Sequence, residues 1–216
     1  MKLSDLRSFL ASAENRRRLV MAVLGTVVCA LAVSMNRMAN FGVDPFQSLC
    51  SGLYRVIPLE QGLTYIALNA LMLLAVFVMN RHYIGLGTLL NLFLFGYVVD
   101  WGERLLRLVF GTPDMAGRIA FLVCGVVIGS VSVAMYITAD LGVATYDAIV
   151  LHLADMKLAP YRLLRTVSDA LCVLAGFLMG ATVGLGTLFM ATLWGVMISW
   201  AREHIAEPMR YGRTRR

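Results

Sequence analysis

The sequence predicts an all-α polytopic membrane protein: six transmembrane helices as two inverted three-helix repeats, each with a short amphipathic or re-entrant motif helix. Three observations carry this. The 216 residues are 59% hydrophobic and 15% charged, where soluble globular chains run about 45–50% and roughly 25%. A soluble core of this size leaves too much apolar surface in water, so the surplus needs lipid. The apolar residues also fall into six runs near the ~20 residues that a helical span takes. Finally, the second half of the chain repeats the first.

In chain order, residues 1–15 form a cytoplasmic head, with Leu3, Leu6, Phe9 and Leu10 spaced for an interfacial helix. Residues 16–109 make the first three-span repeat, 110–203 the second, and 204–216 a basic cytoplasmic tail expected to be mobile. The first span runs from about Leu19 to Met38, the second from Leu63 to Met79, and the third from Gly85 to the Trp101–Leu105 region. Spans four to six cover about Ala116–Thr138, Leu163–Met179 and Val183–Trp200. Ala30-Leu31-Ala32 imitates a signal-peptide cleavage site. The same segment recurs mid-chain, so it is read as a span.

The formal charge of +6 would suggest nucleic acid in a soluble chain. Here the cations flank the spans, which excludes that partner and makes lipid the expected one. With the N-terminus inside, the head, Arg81, Lys157, Arg162, Arg165 and the tail hold 14 of the 19 Lys and Arg residues. Arg37, Arg55, Arg104, Arg107 and Arg118 fall outside. The positive-inside bias therefore puts both termini in the cytoplasm.

The four cysteines show no Cys-x-x-Cys and no histidine at ligand spacing. No nucleophile elbow, zinc motif, phosphate loop or acid pair appears either. The expectation is a protein that is not an enzyme and has no cofactor or metal.

The repeat is explicit in the residues. Gly25 falls on Gly125, Val33 on Val133, Met35 on Met135 and Ala39 on Ala139. Asn40-Phe-Gly42-Val43 falls on Asp140-Leu-Gly142-Val143, and Asn69-Ala-Leu on Asp169-Ala-Leu. One residue of slippage later, Gly85-Leu-Gly-Thr-Leu89 matches Gly184-Leu-Gly-Thr-Leu188. Three spans per half, an odd number, make the halves enter the membrane from opposite sides, the plan of many secondary transporters.

This pattern of span, Asn/Asp-x-Gly-Val motif and Gly-Leu-Gly-Thr span resembles the YczE/YitT-type bacterial integral membrane proteins over about residues 15–200. The resemblance implies a bacterial inner-membrane protein with transport as its expected activity. Phe46-Gln47 stands where the resemblance leads one to expect an aromatic-Asp pair such as Tyr146-Asp147.

Two constellations are candidate binding sites. At the motif entries stand Asn40, Asp44, Gln47, Asp140, Thr145, Tyr146 and Asp147, around the backbone motif residues Gly42 and Gly142. Asp44-Pro45 is a helix start, and Thr145 is a candidate cap for the second motif helix. If both motif helices dip inward, their positive N-terminal ends converge on a small solute near the midplane. The other reading lays them flat as connectors. Asn69 and Asp169 form the second constellation, at equivalent depth in spans two and five. An intramembrane carboxylate costs ~2.5–3.5 kcal/mol on insertion scales and must be paired or hydrated. Asp169 is thus either a proton- or cation-coupling group or the structural partner of Arg165 at i−4.

Three functions follow. They are a small-solute transporter or channel, a substrate-capturing subunit needing a separate energy-coupling partner, and a non-transporting accessory protein. Glycine notches such as Gly125-x-x-x-Gly129 predict close helix packing, with a homodimer interface as the alternative.

Overall fold

A computed structural model describes residues 12–57 and 61–212, and every regular element among them is helical. We number the helices α1 (Ala13–Ala39), α2 (Pro45–Val56), α3 (Gln61–Met79), α4 (Leu86–Phe93), α5 (Phe95–Phe110) and α6 (Met115–Ala139). After them come α7 (Thr145–Asp155), α8 (Tyr161–Leu178), α9 (Leu185–Ala201) and α10 (Glu207–Tyr211). The expected spans coincide with α1, α3, α4–α5, α6, α8 and α9, and the motif helices with α2 and α7. Two helices, α1 and α6, are long and apolar enough to cross a membrane unaided, and α3 has a shorter apolar stretch, Leu63–Met79.

Three boundaries depart from expectation. The head lies mostly outside the described residues, and 13–15 are the first turn of α1. The third span bends at Leu94 and continues to Phe110. The bend keeps its ladder, since Leu94 N–H still donates to Leu90 O and Val98 N–H to Leu94 O. The tail is a structured segment up to residue 212: α9 continues through a wide turn at Arg202–Ala206 into α10, where Arg210 donates to Thr138 O. Residues 213–216 lie outside the described residues.

The local signals explain the ends. Asp44 accepts the Gln47 N–H at 3.1 Å with Pro45 in the first turn, and Asp114 accepts the Gly117 N–H at 2.9 Å. Both α1 and α6 stop at a residue in the left-handed region, Asn40 (φ 51°) and Asp140 (φ 54°). Asn and Asp tolerate that conformation better than most side chains.

Helices α1 and α6 pair antiparallel, and their contacts are reciprocal. A Cβ on Gly25 would stand 2.9 Å from Ser132 O and Tyr136 N, and one on Gly125 would stand 2.9 Å from Ala32 O and 2.3 Å from Asn36 Oδ1. The backbones therefore touch where the glycines remove side chains, as small-residue interfaces in membranes do. Arginines close both ends. Arg118 donates from Nε to Ala39 O and from Nη2 to Asn40 O, each at 2.8 Å. Arg18 donates from Nε to Ala139 O at 2.9 Å and from Nη2 to Asp140 O. Each cation thus satisfies the orphan carbonyls and the negative dipole end of the other helix. Arg118, read from sequence as a loop charge, is a structural clamp.

Candidate functional site

The motif segments are held by the opposite half of the chain. Gly42 has φ +117° and Gly142 has φ +92°, conformations that side chains rarely adopt. Beside Gly142, Gly87 N–H donates to Leu141 O at 2.8 Å and Thr88 Oγ1 donates to Val143 O at 2.8 Å. Beside Gly42, Gly186 N–H donates to Phe41 O at 2.8 Å and Thr187 Oγ1 donates to Val43 O at 2.6 Å. The free first-turn amides of α4 and α9 therefore bind the motif carbonyls. The Gly-Leu-Gly-Thr sequence is the receptor for the Gly-Val motif, through two glycine backbones and a threonine hydroxyl.

From these anchor points both motif helices turn inward, and their first residues meet. The Phe46 and Tyr146 rings stack with centroids 5.4 Å apart. Helix α2 then leaves along α8: a Cβ on Gly52 would stand 2.7 Å from Gly176 O, and Arg55 donates to Gly180 O. Helix α7 leaves toward the turn after α3, where the Tyr83 hydroxyl donates to Asp155. The starts of α2 and α7 thus meet between the two halves of the chain.

Around the Phe46–Tyr146 stack the two halves differ in charge. On one side Thr145 donates to Asn69 Oδ1 at 3.0 Å, and Asn69 Nδ2 donates to Tyr65 O at 3.0 Å. On the other, Arg165 donates from Nε to Asp169 Oδ2 at 3.0 Å and from Nη1 to Asp147 Oδ1. Tyr146 donates to Asp169 Oδ1 at 2.6 Å, and Tyr136 donates to Asp147 Oδ2. Asp169 is 0% exposed, Asp147 4% and Arg165 6%. The guanidinium also lies 4.6 Å from the Tyr146 ring centroid and 5.7 Å from that of Trp194.

Of the sequence candidates, Asn69, Thr145, Tyr146, Asp147 and Asp169 come together with Phe46. Asp44 and Gln47 adjoin them as the α2 cap. Thr145 is not a cap: Ala144 holds that position, and the Thr145 hydroxyl is spent on Asn69. Asn40 and Asp140 stay out of the site. Asn40 is exposed at the end of α1, and the Asp140 carboxylate lies among Arg18 (3.3 Å), His82 (2.9 Å) and Arg210 (3.7 Å). Their left-handed conformation explains why Asn and Asp recur there. Tyr136 was missed, because nothing in a span marks a tyrosine whose acceptor lies on another helix.

The exterior completes the class. Large apolar side chains stand outward on several helices, with Leu108 84% and Val78 78% exposed, beside Tyr97, Phe177 and Leu178. Surface of that kind belongs in lipid. The molecule is an all-helical membrane protein with a buried polar cluster at the junction of two short helices. Residues 16–203 match the model of a family of unknown function, DUF6198, and the chain belongs to that family.

It is 23% identical over 193 residues to the uncharacterized membrane protein YczE of Bacillus subtilis, covering 89% of this chain and 88% of that one. It is 24% identical over 179 residues to the uncharacterized protein YyaS of the same organism, covering 81% and 87%. An uncharacterized protein of Haemophilus influenzae is 28% identical over 125 residues, covering 57% and 55%. No solved structure matches the chain.

Proposed function

We propose that this protein is a six-span inner-membrane transporter of a small solute, built from two inverted repeats with its binding site where the motif helices meet. The observation that carries the reading is the reciprocity of contacts. Arg18 clamps the end of α6 as Arg118 clamps that of α1, and Gly142 seats on Gly85 as Gly42 seats on Gly184. Such exchange of equivalent contacts is what a two-fold axis lying in the membrane plane produces. Two half-helices entering from opposite faces then direct their positive N-terminal ends at one central point.

The two motif turns differ in their surroundings. A shallow crevice of about 350 Å³ lies between the Asn40–Gly42 turn and Thr182–Leu185. At the repeat-related position Tyr83 stands in place of Thr182, and its hydroxyl is tied to Asp155.

Topology is the direct test. In a cysteine-free background, Thr112→Cys is expected to react only with impermeant reagent outside the cell, and Tyr211→Cys only from the cytoplasm. Reaction of the residue-112 thiol from the cytoplasm defeats the inverted repeat. A thermal-shift screen of the purified protein against metabolites then seeks the solute. A stabilising solute should lose its effect in Phe46→Ala.

A further inference from the structure

The interior cluster has a charge imbalance. Arg165 supplies one positive charge, and Asp147 and Asp169 supply two negative ones when both are ionised. The groups facing them are Tyr136 and Cys29 from α6 and α1, Tyr146 from α7, Tyr161 and Cys172 from α8, and Asp44 at the head of α2. Among the described residues none of these is a second cation, and the third carboxyl, Asp44, is engaged as the α2 cap by the Gln47 N–H. A lone net charge this deep is costly in a low-dielectric interior, and a proton removes the cost at once.

A metal cation fits less well. Each of the four carboxylate oxygens already accepts a hydrogen bond: two come from Arg165, one from Tyr136 and one from Tyr146. Sodium would have to sit against the guanidinium that already holds an oxygen of each carboxylate. A proton needs only that one tyrosine hydroxyl turn round to accept. The indole Nε1 of Trp194, whose ring adjoins Arg165, is buried and has no hydrogen-bond partner among the described residues. On the repeat-related side Tyr65, Asn69 and Gln47 stand in place of Arg165, Asp169 and Asp147, and the carboxyl there is Asp44, which caps α2 by accepting the Gln47 N–H.

We propose that the Asp147–Arg165–Asp169 triad is a binding site for a single proton, shared between the two carboxylates. The inference rests on the location of the site in the transport reading, but a proton can be read without any solute. Arg165 bridges the two carboxyls, so a proton on either one leaves the other paired with the guanidinium. The proton comes from water and returns to it, and it resides on Asp147 or Asp169 while the other stays paired with Arg165. In a transporter, such a site couples solute movement to the proton gradient.

The experiment is infrared spectroscopy of the protein in lipid vesicles at neutral pH. A protonated-carboxyl C=O band is expected. It should shift in D₂O and again when the protein is made with aspartate labelled with ¹³C at the side-chain carboxyl. It should disappear in Asp147→Asn and in Asp169→Asn, persist in Asp44→Asn, and be unchanged when choline replaces sodium. Absence of the label-sensitive band in the unmodified protein overturns the proposal, and that measurement needs no variant to fold. So does a band that vanishes only in Asp44→Asn, or one that sodium abolishes. A band that behaves as expected in a protein whose residue-112 thiol reacts from the cytoplasm keeps the proton site and discards the inverted repeat.

Discussion

Gly142→Ala is expected to lower the unfolding free energy by about 3–5 kcal/mol. An L side chain at φ +92° costs about 1–2 kcal/mol. The new Cβ would also stand 2.4 Å from Gly85 N, 2.6 Å from Gly85 Cα and 2.8 Å from Thr88 Oγ1. Those neighbours are mostly backbone, so relief requires α4 to move, and overpacking of that kind costs typically 1–3 kcal/mol. The Thr88–Val143 hydrogen bond is lost as well, at about 1 kcal/mol. Gly85→Ala meets Leu141 O at 2.4 Å across the same contact but with an unstrained backbone, so about 2–3 kcal/mol is expected. The two replacements should be less than additive, because the first has already parted the surfaces. Gly96→Ala is the control: a Cβ there meets nothing within 4 Å, so a gain of about 0.5–1 kcal/mol is expected in helix α5. Chemical unfolding in micelles measures all four proteins. Gly142→Ala unfolding together with Gly96→Ala would show that the motif contact holds nothing.

Those glycines show what could be read in advance. Spans, caps and the Asp44-Pro45 start are set by residues within a turn or two, so periodicity and cap chemistry find them. Glycine, threonine and Asn/Asp positions recur between the halves, and the same positions are contact points in the structure. Sequence did not say that Gly-Leu-Gly-Thr receives the motif, since that contact joins residues from opposite halves. Arg118 looked like a loop charge because its acceptors at Ala39 and Asn40 lie 79 and 78 positions away. Asp140 and Asp147 both read as acids at a motif entry, and sequence put Asp140 second to Asp169 as a coupling candidate. The left-handed helix end keeps Asp140 among surface cations, whereas Asp147 turns inward onto Arg165, a residue one helix further on.

Arg165→Gln is expected to destabilise the protein by about 3–5 kcal/mol, the usual cost of removing one member of a buried ionic group. It leaves a buried carboxylate beside a carboxylic acid, with tyrosine donors and no counter-charge. Asp147→Asn and Asp169→Asn should each change stability by no more than about 1 kcal/mol, because each fixes a neutral partner and leaves a balanced Arg–Asp pair. In Asp169→Asn the amide oxygen keeps the Arg165 bond, while its NH₂ meets a Tyr146 hydroxyl that turns to accept. The double Asp147→Asn/Asp169→Asn variant should fall as far as Arg165→Gln, since it strands the guanidinium with no counter-charge. The triple variant, with no charge left in the triad, should recover much of that loss. If both carboxylates were instead ionised in the native protein, each single Asn replacement would remove the uncompensated negative charge, leave a balanced Arg–Asp pair and raise stability above that of the parent. The order of the five unfolding midpoints therefore separates a triad that holds a proton from one that does not. The two accounts differ most in the single Asn variants, which should remain folded and close to the parent protein if the cluster carries its proton at neutral pH.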